Sequence, residues 1–162
     1  DKGGEESSFN LFFFFVRSIF PKVKKQVRGE IIGGNLSVIA SLIGTPLEPQ
    51  WKDTLLFIEE TNEPPYRIHR MLTQLKFSKK FRSLSAVVLG DLINCDHKKK
   101  KGPTSLDVVK SFCKELAIPL FTGAPFGHGA RNFPFPLGRT AIIYTEEGKI
   151  VLPRMCTART KR

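Results

Sequence analysis

Two short, unbroken apolar runs constrain this chain more than any other feature: Leu55-Leu56-Phe57-Ile58 and Ala86-Val87-Val88-Leu89. A half-exposed strand alternates apolar and polar residues, so runs of this length without alternation read as strands buried on both faces. Between them, Ile68, Met71, Leu72 and Leu75 recur at helical spacing over residues 66–75. From Gly29 onward the chain therefore reads as an alternating α/β domain.

The remaining segments extend that pattern. Asn35 is placed to cap a short helix whose apolar positions are Leu36, Ile39, Leu42 and Ile43, and Gly44, Pro46 and Pro49 stop it. Thr104 followed by Asp107 is a loose capping box, with Asp in place of Glu. Leu106, Val109, Phe112, Cys113 and Leu116 supply the stripe of the helix it starts. Residues 118–121 suggest a third strand. Residues 141–144 and 149–152 flank a turn at Glu147-Gly148 and read as a β-hairpin. No internal repeat is evident.

At 162 residues, 41% hydrophobic and 25% charged, the chain suits one globular domain with a sizeable core. Residues 1–28 differ in texture: a polar start, an apolar run with Phe12 to Phe15 and Phe20, then a lysine-rich stretch. They fit no stable element and read as an atypical N-terminal segment open to disorder, and residues 154–162 as a basic tail. Arg17 and Ser18 interrupt the apolar run, which is too short to span a membrane. Acidic Glu5 and Glu6 stand where a signal peptide carries basic residues. A cytoplasmic protein with no membrane partner is expected.

The net charge of +11 points first to nucleic acid or another anion. It is concentrated in blocks at residues 22–25, 76–82, 98–101 and 159–162. No arginine-rich helix or interleaved aromatic pattern accompanies them, so each reads as a solvated loop or tail, with no specific nucleic acid partner. Three scattered cysteines, Cys95, Cys113 and Cys156, fit neither a disulfide framework nor a zinc site and suit a reducing compartment.

Two segments carry chemistry. Glu59-Glu60 ends the first apolar strand, and α/β sheets gather their ligand sites beyond strand carboxyl ends. His128 lies in Gly123-Ala124-Pro125-Phe126-Gly127-His128-Gly129, where flanking glycines allow a tight turn and an uncovered imidazole. A carboxylate and a histidine are two of the three parts of a Ser-His-Glu triad. On position alone the simpler readings are a solvated strand exit and a surface or structural histidine. His69 sits in a helical pattern beside Arg70, and His97 precedes four lysines that disfavour its protonated form.

Taken together and in order, several stretches resemble the C-terminal domain of the LD-carboxypeptidases, serine peptidases whose relatives include microcin immunity peptidases. They are Gly29-Glu30-Ile31-Ile32-Gly33-Gly34-Asn35-Leu36-Ser37, Leu56-Phe57-Ile58-Glu59-Glu60, and Tyr66-Arg67-Ile68-His69-Arg70 with Leu72-Thr73-Gln74-Leu75. Val88-Leu89-Gly90, the loop 123–128 and Pro136-Leu137-Gly138 complete the match. The resemblance implies a swivelling β/β/α-type domain over residues 29–153, with Glu59 and His128 catalytic and no metal or organic cofactor. It also implies a murein tetrapeptide substrate, cut before its terminal D-alanine during cytoplasmic cell-wall recycling.

The family's nucleophile and oxyanion hole belong to a separate N-terminal domain that residues 1–28 do not resemble. Ser7 and Ser8 lie in an unpatterned start, Ser18 interrupts the phenylalanine run, and Ser37 belongs to the glycine-asparagine motif. No G-x-S-x-G elbow occurs. The expectation is a chain inactive alone, partnered by a separate serine-bearing domain, with a homodimer as a further arrangement. The alternatives are a non-catalytic remnant or binding module, a microcin-immunity-type fragment, and a basic nucleic-acid-binding protein.

Overall fold

The two apolar runs are neighbouring parallel strands at the centre of one sheet. The computed structural model describes residues 12–20, 24–79, 81–96 and 102–152. Its first half holds β1 (Phe12–Phe15), β2 (Arg17–Ser18), β3 (Gln26–Asn35), α1 (Leu36–Leu42), β4 (Thr54–Thr61) and α2 (Pro65–Phe77). A 3₁₀ turn (Phe81–Ser83) then leads into β5 (Ala86–Ile93), α3 (Ser105–Glu115), β6 (Leu120–Thr122), β7 (Thr140–Tyr144) and β8 (Lys149–Leu152).

The sheet order is β1-β8-β7-β3-β4-β5-β6-β2. Strands β3, β4, β5 and β6 run parallel, while β7, β8 and β1 add antiparallel on one side and β2 on the other. β1 and β2 occupy opposite ends of that order, yet only Val16 separates them. Two peptide steps span at most about 7 Å, so the sheet must curl until its ends almost meet. Val16 N–H donates to the Gly148 carbonyl at 2.7 Å and Ile19 N–H to the Leu120 carbonyl at 3.0 Å, stitching the link to both ends.

Curling gives the sheet an inside and an outside, and both are apolar. Leu55, Phe57, Ala86 and Val88 point inward with Ile31, Phe121, Ile143 and Ile150. Leu56, Ile58, Val87 and Leu89 point outward to Ile68, Leu72 and Leu75 of α2 and Val109 and Phe112 of α3. This is why the two runs do not alternate: successive strand residues enter two different cores. Each fully buried side chain of this size contributes about 1.5–3 kcal/mol. Helix α3 starts as its sequence suggests, with Thr104 Oγ1 accepting from Asp107 N–H and Asp107 Oδ2 accepting from Thr104 N–H, both at 3.1 Å.

The N-terminal expectation needs correcting. A boundary at Gly29 falls inside β3, and the described part of residues 1–28 is built into the sheet rather than disordered. Phe14 and Val16 are each only 8% exposed in the inner core, whereas Phe13 and Phe15 alternate outward. A strand with phenylalanine on both faces carries no visible alternation, so its period of two is hidden. Ser7, Ser8, His97, Cys156, residues 98–101 and the tail 154–162 lie outside the described residues. Among the described residues no helix is long and apolar enough to cross a membrane.

Candidate active site

β4 continues past its apolar run as Glu59, Glu60 and Thr61. Successive strand residues face opposite sides, so the two carboxylates diverge. Neither is a solvated strand exit: Glu59 is 6% and Glu60 2% exposed. Glu60 turns to the helical side, where its oxygens accept from Asn35 Nδ2 (2.8 Å), Ser37 N–H (2.9 Å), Ser37 Oγ (2.6 Å) and Thr61 N–H (2.9 Å). It anchors the start of α1, whose N-cap is the expected Asn35. Glu59 turns the other way, and its Oε2 lies 2.7 Å from His128 Nδ1.

An irregularity in the sheet makes room for this contact. Ile58 pairs with Leu89 and Glu60 with Leu92, so Gly90 and Asp91 together oppose Glu59. An extra residue of this kind bends a strand and re-aims its side chains. Gly90 lets the loop after β6 press close, because a Cβ there would sit 2.4 Å from the Phe126 carbonyl oxygen. Gly127 adopts φ +124°, and a Cβ there would meet the Glu59 and Asp91 Cβ atoms at 3.1 Å.

Below the histidine, Phe126 stacks on Phe57 with centroids 5.5 Å apart, and Phe135 packs on both at 5.0 and 4.8 Å. Aromatic contacts in the inner core thus fix the base of a glycine-rich loop. Asp91 N–H donates to the Phe126 carbonyl at 2.9 Å, and Gly129 N–H donates to Asp91 Oδ2 at 3.0 Å.

A carboxylate accepts, so the contact favours a proton on Nδ1 and leaves the Nε2 lone pair available in the neutral ring. The His128 side chain is 56% exposed, and among the described residues Nε2 makes no hydrogen bond. The hydrogen bond that His128 donates to Glu59 raises the imidazole pKa above its ordinary value, followed by the Glu59 charge. Partial burial opposes this, and Glu60 and Asp91 add smaller pushes upward. The arrangement is a base held by a buried acceptor, with its second nitrogen offered outward.

The other candidates fall away. His69 is on the exposed side of α2. Ser37 Oγ is committed to Glu60, and Ser18 Oγ donates to the Phe20 carbonyl at 3.0 Å. Among the described residues no three His, Cys, Asp or Glu side chains gather as a metal site. Sequence reasoning missed Asp91 and the anchoring role of Glu60. The available signal for Asp91 was an acidic residue just past the apolar run 86–89, as Glu59 stands just past the run 55–58.

Fold and site define an α/β domain presenting a carboxylate-oriented histidine at the end of a central strand. Residues 28–143 match the family model described as the LD-carboxypeptidase C-terminal domain, and the chain belongs to the LD-carboxypeptidase family. It is 36% identical over 123 residues to a murein tetrapeptide carboxypeptidase of Pseudomonas aeruginosa, covering 74% of this chain and 39% of that protein. To a Bacillus subtilis protein named a probable murein peptide carboxypeptidase it is 35% identical over 131 residues, covering 80% of this chain and 41% of the relative. Among solved structures, the muramoyltetrapeptide carboxypeptidase from Oxalobacter formigenes superimposes with a TM-score of 0.78 at 29% identity. That match covers 93% of this chain and 52% of that one. The chain spans about two fifths of the length of these two curated relatives.

Proposed function

We propose that this chain supplies the base and its orienting carboxylate to a serine LD-carboxypeptidase that releases the terminal D-alanine of a murein tetrapeptide in the cytoplasm. The observation that carries this reading is the 2.7 Å contact between Glu59 Oε2 and His128 Nδ1. His128 Nε2 takes the proton of a serine hydroxyl as the oxygen bonds to the carbonyl carbon before D-alanine. The imidazolium then delivers that proton to the departing amine, and water repeats the sequence to free the acid. Glu59 holds the ring in the productive tautomer and stabilises its charged form. The serine and the oxyanion donors come, on this reading, from residues outside the 162.

The test is release of D-alanine from murein tetrapeptide by the chain alone, by the chain mixed with a serine-bearing domain from a relative, and by that mixture carrying His128→Ala. Turnover is expected only in the unmutated mixture. Turnover by the chain alone, or turnover that survives His128→Ala, contradicts the assignment.

A further inference from the structure

We propose that Asp91 is the positioning residue that seats His128 against Glu59, holding the histidine loop from both sides of the imidazole. The inference rests on the reading of His128 as the base and adds the device that places it. Asp91 N–H donates to the Phe126 carbonyl at 2.9 Å, two residues before His128, and Asp91 Oδ2 accepts from Gly129 N–H at 3.0 Å, one residue after it. One residue of β5 therefore grips four consecutive loop residues at both ends. It reaches them because the irregular pairing sets Gly90 and Asp91 opposite Glu59.

The fit is close on every side. Glycine stands at each point of contact: a Cβ at Gly90 would meet the Phe126 carbonyl oxygen at 2.4 Å, and one at Gly129 would meet Asp91 Oδ2 at 2.3 Å. A Cβ at Gly127 would lie 3.1 Å from the Cβ atoms of both Glu59 and Asp91. Glu59 does not provide this registration, since among the described residues it bonds to the ring and to no atom of the loop backbone. The charged groups around the imidazole are Glu59 and Glu60 from β4 and Asp91 from β5.

The experiment uses the chain by itself, with NMR titration of His128 and amide exchange at Gly129 in wild type, Asp91→Ala, Asp91→Asn and Gly129→Ala. Each is measured with and without Glu59→Gln, so that the part of the His128 pKa owed to Glu59 is read separately from the charge of Asp91. Losing the acceptor in Asp91→Ala should speed Gly129 exchange about tenfold and largely abolish the Glu59-dependent part. Asp91→Asn, which keeps an acceptor oxygen, should restore both. Gly129→Ala should break the contact from the loop side by its methyl group alone, and it covers the case in which Asp91→Ala does not fold. A Glu59-dependent part that persists in Asp91→Ala, or in Gly129→Ala where the former is unfolded, overturns the proposal. Failure of the D-alanine assay with these results in place would overturn the functional reading and leave the seating of the loop intact.

Discussion

At the residue scale, the fold treats two adjacent carboxylates unequally. Glu60 is satisfied by four donors and is structural, whereas Glu59 keeps its acceptor capacity for one ring nitrogen. Glu59→Gln in the reconstituted assay is expected to lower turnover on the order of 10⁴-fold, because an amide can hold the wrong tautomer. The pH profile should follow the neutral imidazole. Activity should rise with pH through a midpoint above the ordinary histidine value of 6.5, since Glu59 raises that pKa, and Glu59→Gln should move the midpoint down. Stability runs the other way. A folded-state pKa above the unfolded one means the ionised pair stabilises fully below about pH 6.5 and ceases to as pH rises through the folded value. The difference in urea midpoint between wild type and His128→Ala should therefore be larger near pH 6 than in alkali.

At the element scale, β4 and the junction it makes with α1 position the site. Replacing Glu60 by alanine strands Asn35 and Ser37 donors in a half-buried place and should cost about 2 kcal/mol in urea unfolding at neutral pH. A change below about 0.5 kcal/mol, the size usual for surface substitutions, would show that the anchor is not structural. Elements built on contiguous pattern were legible: the apolar runs, the α3 capping box, and the hairpin whose second strand is Lys149–Leu152. β3 was not, because Gln26–Asn35 contains Gly29, Gly33 and Gly34, residues that weaken strands. Their reason is tertiary: a Cβ at Gly33 would sit 1.8 Å from the Phe57 carbonyl oxygen. The role of Asp91, though not its place after an apolar run, was illegible for a similar cause, since it depends on an extra residue in the pairing of β4 with β5.

At the scale of the whole molecule, β1 and β2 finish the curl and cover edges that would otherwise stand open. Phe14 is the inward anchor of β1 beside Ile150 and Leu152, so Phe14→Ala should cost about 3 kcal/mol in the same unfolding experiment. Deleting residues 1–20 removes the strands that pair with β8 and β6, and unpaired edges recruit other chains. Light scattering after size exclusion should show increased self-association in the deletion. A deletion variant as monodisperse as the parent would mean that the curled sheet does not need its N-terminal strands.

The most direct measurement of the central claim is nitrogen NMR of the His128 ring, which reads the tautomer and the pKa in the isolated chain. The expected result is a neutral imidazole protonated at Nδ1 with Nε2 free, a pKa above 6.5, and loss of both features in Glu59→Gln. A neutral ring protonated at Nε2, or a pKa indifferent to Glu59→Gln, would contradict the account of His128 as a base held by Glu59.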